Sequence, residues 1–388
     1  ATGHAVRCAY LYTGVSGLMS EDKKNEDRFN ADDKKIIEQL QEACDRIWKN
    51  ITQKRMYITG GIGSTNSGEA FTEDYDLPSD TVYAETCASC GLVFFASKML
   101  ESNIDNEYAD IMERAFYNTV LAGMQLDGKK FFYVNPVEVV PGLSGVVPIQ
   151  RHVLPERPKW YACACCPPNV ARLITSFGKY AYGESENIAY CHLYAEGNVS
   201  FKNGIKLICE TEYPYDFNVK YTIKEGKGLL AIRIPKWSED KYKINGVKII
   251  KVEKGYVYMN VNKGNVINLE LCDKVRIVYP SSKIPRLSGS VAFERGPLVY
   301  CFEGVDNEDD VISLRYIDNC EIEVLKFDKD LLNGITRLKI SLKREINDGD
   351  DLYSCNKPKI ETFNAIAVPY YTWGNRGINQ MRVWINKI

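Results

Sequence analysis

The stretch Trp160-Tyr-Ala-Cys-Ala-Cys-Cys-Pro-Pro-Asn169 decides how the rest of the sequence is interpreted. Cys163, Cys165 and Cys166 fall within four residues, directly before a Pro-Pro pair and a helix-like run that starts at Asn169. Proline is favoured in the first turn of a helix because its missing N–H would have no partner there. The cysteines therefore lie where free N–H groups and the helix dipole favour negative charge, which lowers the pKa of a thiol. We interpret the cluster as a chemical site.

Composition and charge limit the class of protein. The chain has 388 residues, a formal net charge of −2, 45% hydrophobic and 26% charged residues. These values are ordinary for a globular protein of two or three domains. The near-neutral charge argues against nucleic acid and anionic membranes as partners. Neither a spanning apolar run nor a signal peptide is visible in the sequence, so we expect a cytoplasmic protein whose chain begins inside a domain.

The cysteine content predicts reduced thiols. The chain has 13 cysteines, an odd number, and most are scattered along the sequence. This pattern is typical of buried, reduced cysteines in a cytosolic protein and not of a disulfide framework. The exceptions are the cluster at Cys163–Cys166 and the pair Cys87 and Cys90.

Hydrophobic periodicity divides the chain into a helical half and a β-rich half. A charged connection is expected over 21–35 and a short strand at Phe131–Val134. From about Ile188, short alternating runs separated by turn residues predict antiparallel strands. Helices joined by long loops favour an α/α toroid whose loops form the site at one end. The predicted helices cover residues 4–18, 33–52, 84–101, 106–123 and 168–182. The predicted domains are a helical domain at 1–187, a β-sandwich at 188–288 and a second β-sandwich at 289–388.

A second motif, Tyr83-Ala-Glu-Thr-Cys-Ala-Ser-Cys90, begins a predicted helix. Glu85 and Cys87 are two residues apart and would face different sides of a regular helix. They can share one ion only if Glu85 lies at or before the first turn. With Cys165–Cys166 they would supply one carboxylate and three thiolates, which suits tetrahedral zinc.

The same motif allows a different ligand set. Cys87 and Cys90 form a C-x-x-C pair, and with Cys165–Cys166 they would give a structural zinc site of four cysteines. The spacing of the residues leaves both sets open. A thiol redox protein that uses Cys87 and Cys90 is a third interpretation.

The segment between the first helices and this motif is rich in glycine and acidic residues. Gly60-Gly-Ile-Gly63 lacks the Lys-Ser/Thr of a P-loop and the context of a dinucleotide motif, so we favour a loop that presents Glu69 over a phosphate cradle. Several carboxylates and aromatic rings follow, a mixture typical of sugar-binding clefts, although a solvated acidic loop would look similar. These residues are Glu69, Glu73, Asp74, Asp76, Asp80 and Glu85 with Phe71, Tyr75 and Tyr83.

The chain has three histidines. His4 opens a predicted helix and could reach a cleft. His152 lies in a proline-rich loop and has no assigned role, whereas His192 lies in strand-like sequence and is interpreted as structural.

Taken together, the motifs resemble one family, the zinc-dependent β-L-arabinofuranosidases of glycoside hydrolase family 127, also called cysteine glycosidases. The resemblance covers residues 1–182 in order and spacing, and the β-rich half fits the family's β domains. The matching stretches are Gly3-His-Ala-Val-Arg7, Tyr57-Ile-Thr-Gly-Gly-Ile-Gly63, Gly68-Glu-Ala-Phe71, Tyr75-Asp-Leu-Pro78, Tyr83-Ala-Glu-Thr-Cys87, Glu113-Arg-Ala-Phe-Tyr-Asn118, Phe131-Phe-Tyr-Val-Asn-Pro136 and Cys163-Ala-Cys-Cys-Pro-Pro-Asn169.

The resemblance implies a fold, a cofactor and a set of roles. The implied fold is part of an (α/α)6 barrel followed by two antiparallel β-sandwich domains. It implies a retaining glycosidase that releases terminal β-L-arabinofuranose, with Cys165 as nucleophile and Glu69 as general acid/base. His4 and Tyr133 are the implied sugar contacts. The implied ligands of Zn²⁺ are Glu85, Cys87, Cys165 and Cys166, which favours Glu85 over Cys90.

The sequence departs from the family in its number of helices, because only the later part of the barrel is present. A half barrel would expose apolar helix faces, so we expect either a fragment of a longer protein or a barrel completed by a homodimer or a separate N-terminal chain. The alternative function is that of a non-catalytic, structural-zinc protein for sugar binding or assembly.

Overall fold

The N-terminal part of the chain is helical in the computed structural model, which describes residues 1–24, 30–185, 187–346 and 351–388. The helices of these residues, with one short strand, are α1 (Ala5–Lys24), α2 (Ala31–Lys54), α3 (Thr86–Ser102), α4 (Asn106–Ala115), α5 (Cys166–Thr175), α6 (Gly178–Ala181) and β1 (Glu138–Val139). A π-helical turn, Phe116–Val120, continues α4. Among the described residues, no helix combines the length and apolar character needed to span a bilayer.

The predicted charged connection at 21–35 is wrong at both ends. Residues 21–24 continue α1, and α2 already begins at Ala31, while residues 25–29 lie outside the described part. The Asn30 side chain accepts the N–H groups of Asp32 and Asp33, and the Asp33 carboxylate accepts the N–H of Asn30. This capping box starts the helix inside a charged run, because charged residues on a solvated face are compatible with a helix.

Helix α3 is the centre of the helical part and contacts α1, α4 and α5. Almost all of its residues are buried. Gly91 lies against α1, where an added Cβ would come within 2.9 Å of the Ala9 Cβ, so glycine permits the close approach of the two helices. The predicted short strand at Phe131–Val134 is replaced by isolated bridges, Phe131 with Met124 and Val134 with Glu85. That the helices form part of an (α/α)6 barrel stays a prediction.

Two five-stranded sheets follow among the described residues and enclose a common apolar core. The strand orders are β2-β3-β7-β10-β9 and β4-β5-β6-β11-β8. Alternating burial along β6 fits a strand with one face on that core. The prediction of purely antiparallel strands is wrong at one place, since β3 and β7 are parallel. The strands are β2 (Tyr182–Glu184), β3 (Ile188–Cys191), β4 (Gly197–Ser200), β5 (Lys206–Thr211), β6 (Asn218–Glu225), β7 (Lys227–Arg233), β8 (Lys243–Asn245), β9 (Ile249–Glu253), β10 (Tyr256–Asn262) and β11 (Val266–Glu270).

Within the described part of the chain, the C-terminal strands join one ten-stranded sheet instead of two separate sheets. Its order is β1-β19-β14-β18-β17-β15-β20-β13-β12, with β16 beside β17, and a β13–β14 pairing closes part of it into a ring. Strands β15 and β20 are parallel, a second departure from the antiparallel prediction. The strands are β12 (Val275–Val278), β13 (Ser290–Arg295), β14 (Leu298–Glu303), β15 (Leu314–Tyr316), β16 (Ile322–Val324), β17 (Leu338–Ile346), β18 (Lys359–Pro369), β19 (Met381–Arg382) and β20 (Ile385–Lys387).

Two pairings show how the parts of the chain connect. Strand β12 pairs with β13, so Val275–Val278, assigned from the sequence to the middle domain, lies by hydrogen bonding in the C-terminal sheet. Strand β1 leaves the helical part and pairs with β19, where the Arg382 guanidinium donates to the Glu138 carboxylate at 2.9 Å. The domain limits near 187 and 288 otherwise stay a prediction.

A buried ion cluster joins α4 to the middle sheets. The Arg233 side chain is wholly buried and donates to Asp110 at 2.6 Å and to Glu113 at 2.5 Å. Glu113 also accepts the Tyr213 hydroxyl at 2.7 Å and the Trp237 ring N–H at 3.3 Å. Since each buried charge has partners, removing one of them leaves the others uncompensated.

Replacing Arg233 with alanine should therefore lower the free energy of unfolding by about 3–5 kcal/mol, because Glu113 would remain buried without its cation. Chemical denaturation followed by tryptophan fluorescence measures the change. Lys243→Ala is the control: it removes an exposed ion pair with Glu270 and should cost at most about 1 kcal/mol. Equal losses in the two variants would contradict a stabilising role for the buried cluster.

Candidate metal and catalytic site

Two helix starts bring the predicted ligands together. Glu85 is the residue before α3, with extended backbone (φ −59°, ψ 135°), so it precedes the first helical turn. Cys87 is the second residue of α3, and Cys165 and Cys166 lie at the start of α5, where Pro167 follows. The sequence analysis required Glu85 to lie at or before the first turn of α3 if Glu85 and Cys87 are to share one ion. The structure meets this requirement.

Hydrogen bonds hold the Glu85 segment in an unusual conformation. Ala84 has a φ of 42°, which a residue with a side chain rarely adopts. Its N–H donates to Gly63 O at 2.8 Å, and its carbonyl accepts the Asn135 side-chain amide at 2.8 Å. Asn135 also donates to the Thr86 hydroxyl at 2.9 Å. These bonds offset the backbone strain next to Glu85, an arrangement that is common at functional sites.

One carboxylate and three sulfurs lie within a small volume. The Sγ atoms of Cys87 and Cys166 are 3.5 Å apart, and those of Cys165 and Cys166 are 3.9 Å apart. Glu85 Oε1 is 3.6 Å from the Cys165 sulfur and 4.0 Å from the Cys166 sulfur. With Zn–S bonds of about 2.3 Å, tetrahedral geometry requires S···S distances of about 3.8 Å. The four residues could therefore hold a tetrahedral metal ion.

The electrostatics of this group also fit a cation. Glu85 is 3% exposed and its Oε2 atom has no hydrogen-bond partner. Burial, and then the neighbouring Cys165 and Glu69, raise the pKa of Glu85 to about 8. Hydrogen bonding from the Cys166 thiol is the main cause that lowers the pKa of Cys165 to about 5. A bound dication would compensate the additional negative charges that ionisation of the whole group creates.

Cys90 lies outside this cluster of four among the described residues. It is wholly buried in α3, and burial raises the pKa of its thiol. Cys163 is exposed. The structure therefore favours the Glu85 set over the four-cysteine set that the spacing allowed.

Glu69 is the centre of a second group. It ends a short 3-10 turn, Ser67–Glu69, and has a φ of 53°. Its Oε2 atom is 2.8 Å from His4 Nε2, and its Oε1 atom accepts the hydroxyls of Tyr83 at 2.9 Å and Tyr133 at 3.4 Å. One ligand atom from each of His4, Glu69 and Glu85 lies within 4.8 Å of the others. Glu85 thus belongs to both groups and connects them.

Aromatic rings form one side of this region. Tyr133 stacks on Tyr161 with ring centroids 4.7 Å apart, and Tyr83 contacts Tyr133 edge-on at 6.0 Å. His152 packs on Tyr83 at 5.9 Å, and its Nε2 atom is 3.1 Å from Thr81 O. His152 therefore contacts the loop that carries Tyr83 without entering either group of ligand atoms.

His192 lies away from both groups, as expected for a structural residue. Its Nδ1 atom is 2.8 Å from the Tyr256 hydroxyl. Burial lowers the pKa of His192 to about 3.

Sequence reasoning missed two residues of the site. Asn135 holds the Glu85 segment, as described above, and Asn169 donates its side-chain amide to the Cys87 sulfur at 3.0 Å. Both residues were part of motifs that the sequence analysis quoted. Their contacts join segments far apart in the chain, so spacing carried no signal for them.

Comparison with family models identifies the class of protein, since the three parts of the chain each match a domain of one glycoside hydrolase family. The model of the "Beta-L-arabinofuranosidase, GH127 catalytic domain" matches residues 1–179. The GH127 middle-domain model matches residues 188–272, and the glycoside hydrolase family 127 C-terminal domain model matches residues 275–386. The chain belongs to glycoside hydrolase family 127, which confirms the resemblance seen in the motifs.

Relatives support the same assignment. The chain is 39% identical to a non-reducing end β-L-arabinofuranosidase of Bifidobacterium longum subsp. longum, over 99% of this chain and 59% of the relative. It is 41% identical to a GH127 β-L-arabinofuranosidase from Geobacillus stearothermophilus T6, whose crystal structure matches with a TM-score of 0.91 over 100% of this chain and 61% of that one. A second solved GH127 β-arabinofuranosidase is 31% identical, with a TM-score of 0.85 over 100% of this chain and 60% of that one.

The chain spans about three fifths of the length of these relatives. The expected helical partner that completes the barrel, a homodimer and a cytoplasmic location stay predictions.

The geometry predicts that the purified protein, equilibrated with Zn²⁺ and dialysed, retains about one ion per chain, as expected for one tetrahedral site. Cys166→Ser should lose most of it because the substitution removes a buried sulfur ligand. Elemental analysis measures the metal content. Cys163→Ser and Cys90→Ala are matched controls, cysteines outside the cluster, and should retain the ion. Loss of the ion in Cys90→Ala but not in a Glu85→Gln variant would favour the four-cysteine set.

Proposed function

We propose that the protein is a retaining glycoside hydrolase that releases terminal β-L-arabinofuranose, with Cys165 as nucleophile and Glu69 as general acid/base. One observation supports this most directly: Glu69 and Cys165 both lie next to the same buried carboxylate, Glu85. Membership of the family supports the substrate class, since the relatives described above carry that activity in their names. The activity of the whole protein is part of the proposal.

Glu85, Cys87, Cys165 and Cys166 would hold Zn²⁺, and the S···S distances and the unpartnered Glu85 oxygen fit that ion. When bound, the ion would stabilise deprotonated sulfur at neutral pH. The chain's own contribution is to bury the ligands and to aim them at one point from two helix starts. Those helix starts also favour negative charge at the sulfurs.

Exposure distinguishes Cys165 from the other sulfurs. Cys87 is 1% exposed and Cys166 is wholly buried, whereas Cys165 is partly exposed. A nucleophile must reach its substrate as a thiolate. Cys165 is the cysteine of the cluster that best fits both conditions, because its pKa is lowered and the residue is partly exposed.

Glu69 would transfer the protons in both steps. In the first step the Cys165 sulfur attacks the anomeric carbon while protonated Glu69 gives its proton to the leaving oxygen. In the second step the Glu69 carboxylate removes a proton from water, which displaces the sulfur and releases the sugar. Two displacements at the same carbon retain its configuration.

His4 and Tyr133 would contact the sugar. Both side chains already contact the Glu69 carboxylate, and the buried His4 Nδ1 atom has no protein partner. A buried polar atom without a partner is costly, so a sugar hydroxyl is a plausible partner for it. Stacked Tyr133 and Tyr161 would offer an aromatic surface beside the ring.

Cys165→Ser should lower kcat on an aryl β-L-arabinofuranoside by at least about 10³-fold, because a hydroxyl at this position has no comparable tendency to ionise. Release of the aryl alcohol measures the rate. Cys355→Ser, at an exposed cysteine in the C-terminal part of the chain, is the control and should keep wild-type turnover. Near-wild-type activity of the Cys165 variant would refute the proposed nucleophile.

Glu69→Gln should lower kcat/KM by about 10²–10⁴-fold on a substrate with an alkyl leaving group, because no acid remains to protonate the leaving oxygen. On an aryl glycoside with an acidic leaving group, formation of the glycosyl intermediate should be affected much less. Rates on the two substrates, with metal content as a check on the site, measure this contrast. A non-catalytic scaffold would retain metal and show no wild-type turnover, and an equal loss on both substrates would contradict the acid role.

A further inference from the structure

A line of hydrogen bonds leads from the surface to one sulfur of the metal cluster. The Arg172 guanidinium donates to the Tyr10 hydroxyl at 2.8 Å, and that hydroxyl donates to Asn169 Oδ1 at 2.9 Å. Asn169 Nδ2 then donates to the Cys87 sulfur at 3.0 Å. The residues come from α5, α1, α5 and α3 in that order, so the line joins three helices at the base of the site.

Arg172, at the surface end of the line, determines which atom donates and which accepts in every bond that follows. Arginine has only N–H donors, so the Tyr10 oxygen must accept from Arg172. The single hydroxyl proton of Tyr10 is then left to donate to Asn169. The Asn169 atom that accepts it must be the carbonyl oxygen, which turns the amide nitrogen towards Cys87. The sulfur therefore receives a hydrogen bond, as a thiolate ligand would require.

Packing holds the line in place. Arg172 lies over the Phe94 ring at 4.5 Å, and Tyr10 meets Phe94 edge-on at 5.9 Å. The backbone N–H of Asn169 donates to Cys165 O at 3.3 Å, which places Asn169 on the turn of α5 after the two cluster cysteines. Its amide thus has little freedom to turn away from Cys87.

We propose that Asn169 is a positioning residue that aims the Cys87 sulfur into the metal cluster, and that Tyr10 and Arg172 set the orientation of its amide. This inference rests on the metal site of the proposed function. One carboxylate and three thiolates carry more negative charge than a dication supplies, so a buried set of this kind needs hydrogen-bond donors as well. Asn169 supplies a neutral donor to Cys87, which is buried and cannot obtain one from bulk water.

The test compares the Zn²⁺ affinity and the Co²⁺ spectrum of the whole chain. Asn169→Leu keeps a similar volume and removes the donor, so Zn²⁺ affinity measured by competition with a chromophoric chelator should fall about 10–100-fold, the usual effect of losing such a partner. The sulfur-to-Co²⁺ charge-transfer band should move to longer wavelength, because a thiolate without its hydrogen bond gives up electron density more easily. Ser176→Ala, which removes a hydroxyl that donates to Arg172 O at 2.7 Å at the end of α5, is the control and should change neither.

Tyr10→Phe provides a second arm if Asn169→Leu does not fold. It removes the hydroxyl that orients the amide, so it should shift the same band in the same direction and weaken Zn²⁺ binding by a smaller factor. Unchanged affinity and spectrum in whichever of these variants fold would overturn the inference. A wild-type chain that binds neither ion would instead refute the metal site itself, so the two failures are distinguishable.

Discussion

The position of the Glu85 carboxylate is the constraint on which the rest of the site depends. One residue, just before α3, lies against two sulfurs of the cluster and against Glu69. Its place depends on the left-handed Ala84, which is in turn held by Gly63 and Asn135. The fold therefore stores backbone strain at the point where the cluster of sulfurs and the group around Glu69 meet, and a network of hydrogen bonds compensates for it.

This arrangement concentrates negative charge in a region from which water is largely excluded. Buried carboxylates and thiolates repel each other, and burial alone favours their protonated forms. Several donors reduce this cost: the starts of α3 and α5, the Asn169 amide that donates to Cys87, and the tyrosine hydroxyl that donates to Glu69. A cation would remove most of the remainder. The site is thus best understood as a balance of charges in which each donor has a specific anionic neighbour.

The sequence predicted most of the helices and the change to β structure, because each has a local signal, whereas only the resemblance to the family favoured Glu85 over Cys90 as a ligand. Apolar spacing revealed α2 and α3, and the Pro-Pro pair marked the start of α5. The sequence could not decide between Glu85 and Cys90 by spacing, since that choice depends on where α3 begins, to within one turn. The connection expected at 21–35 was misjudged because charged residues suit a solvated helix as well as a loop. Asn169 and Cys87 are 82 residues apart in the sequence, and a contact over such a separation produces no periodic pattern in the sequence.

The pairing of β1 with β19 has a consequence for how the protein is made. Glu138 and Arg382 are 244 residues apart in the chain, and β1 follows Tyr133 by only a few residues. The Tyr370 hydroxyl also donates to Pro136 O at 2.8 Å, on the same segment. During synthesis on the ribosome the helices emerge before Tyr370 and Arg382, the residues that hold the segment after Tyr133. That segment can therefore reach its final position only after residue 382 has been synthesised, so a nascent chain would carry its cysteines in an incompletely held site until then.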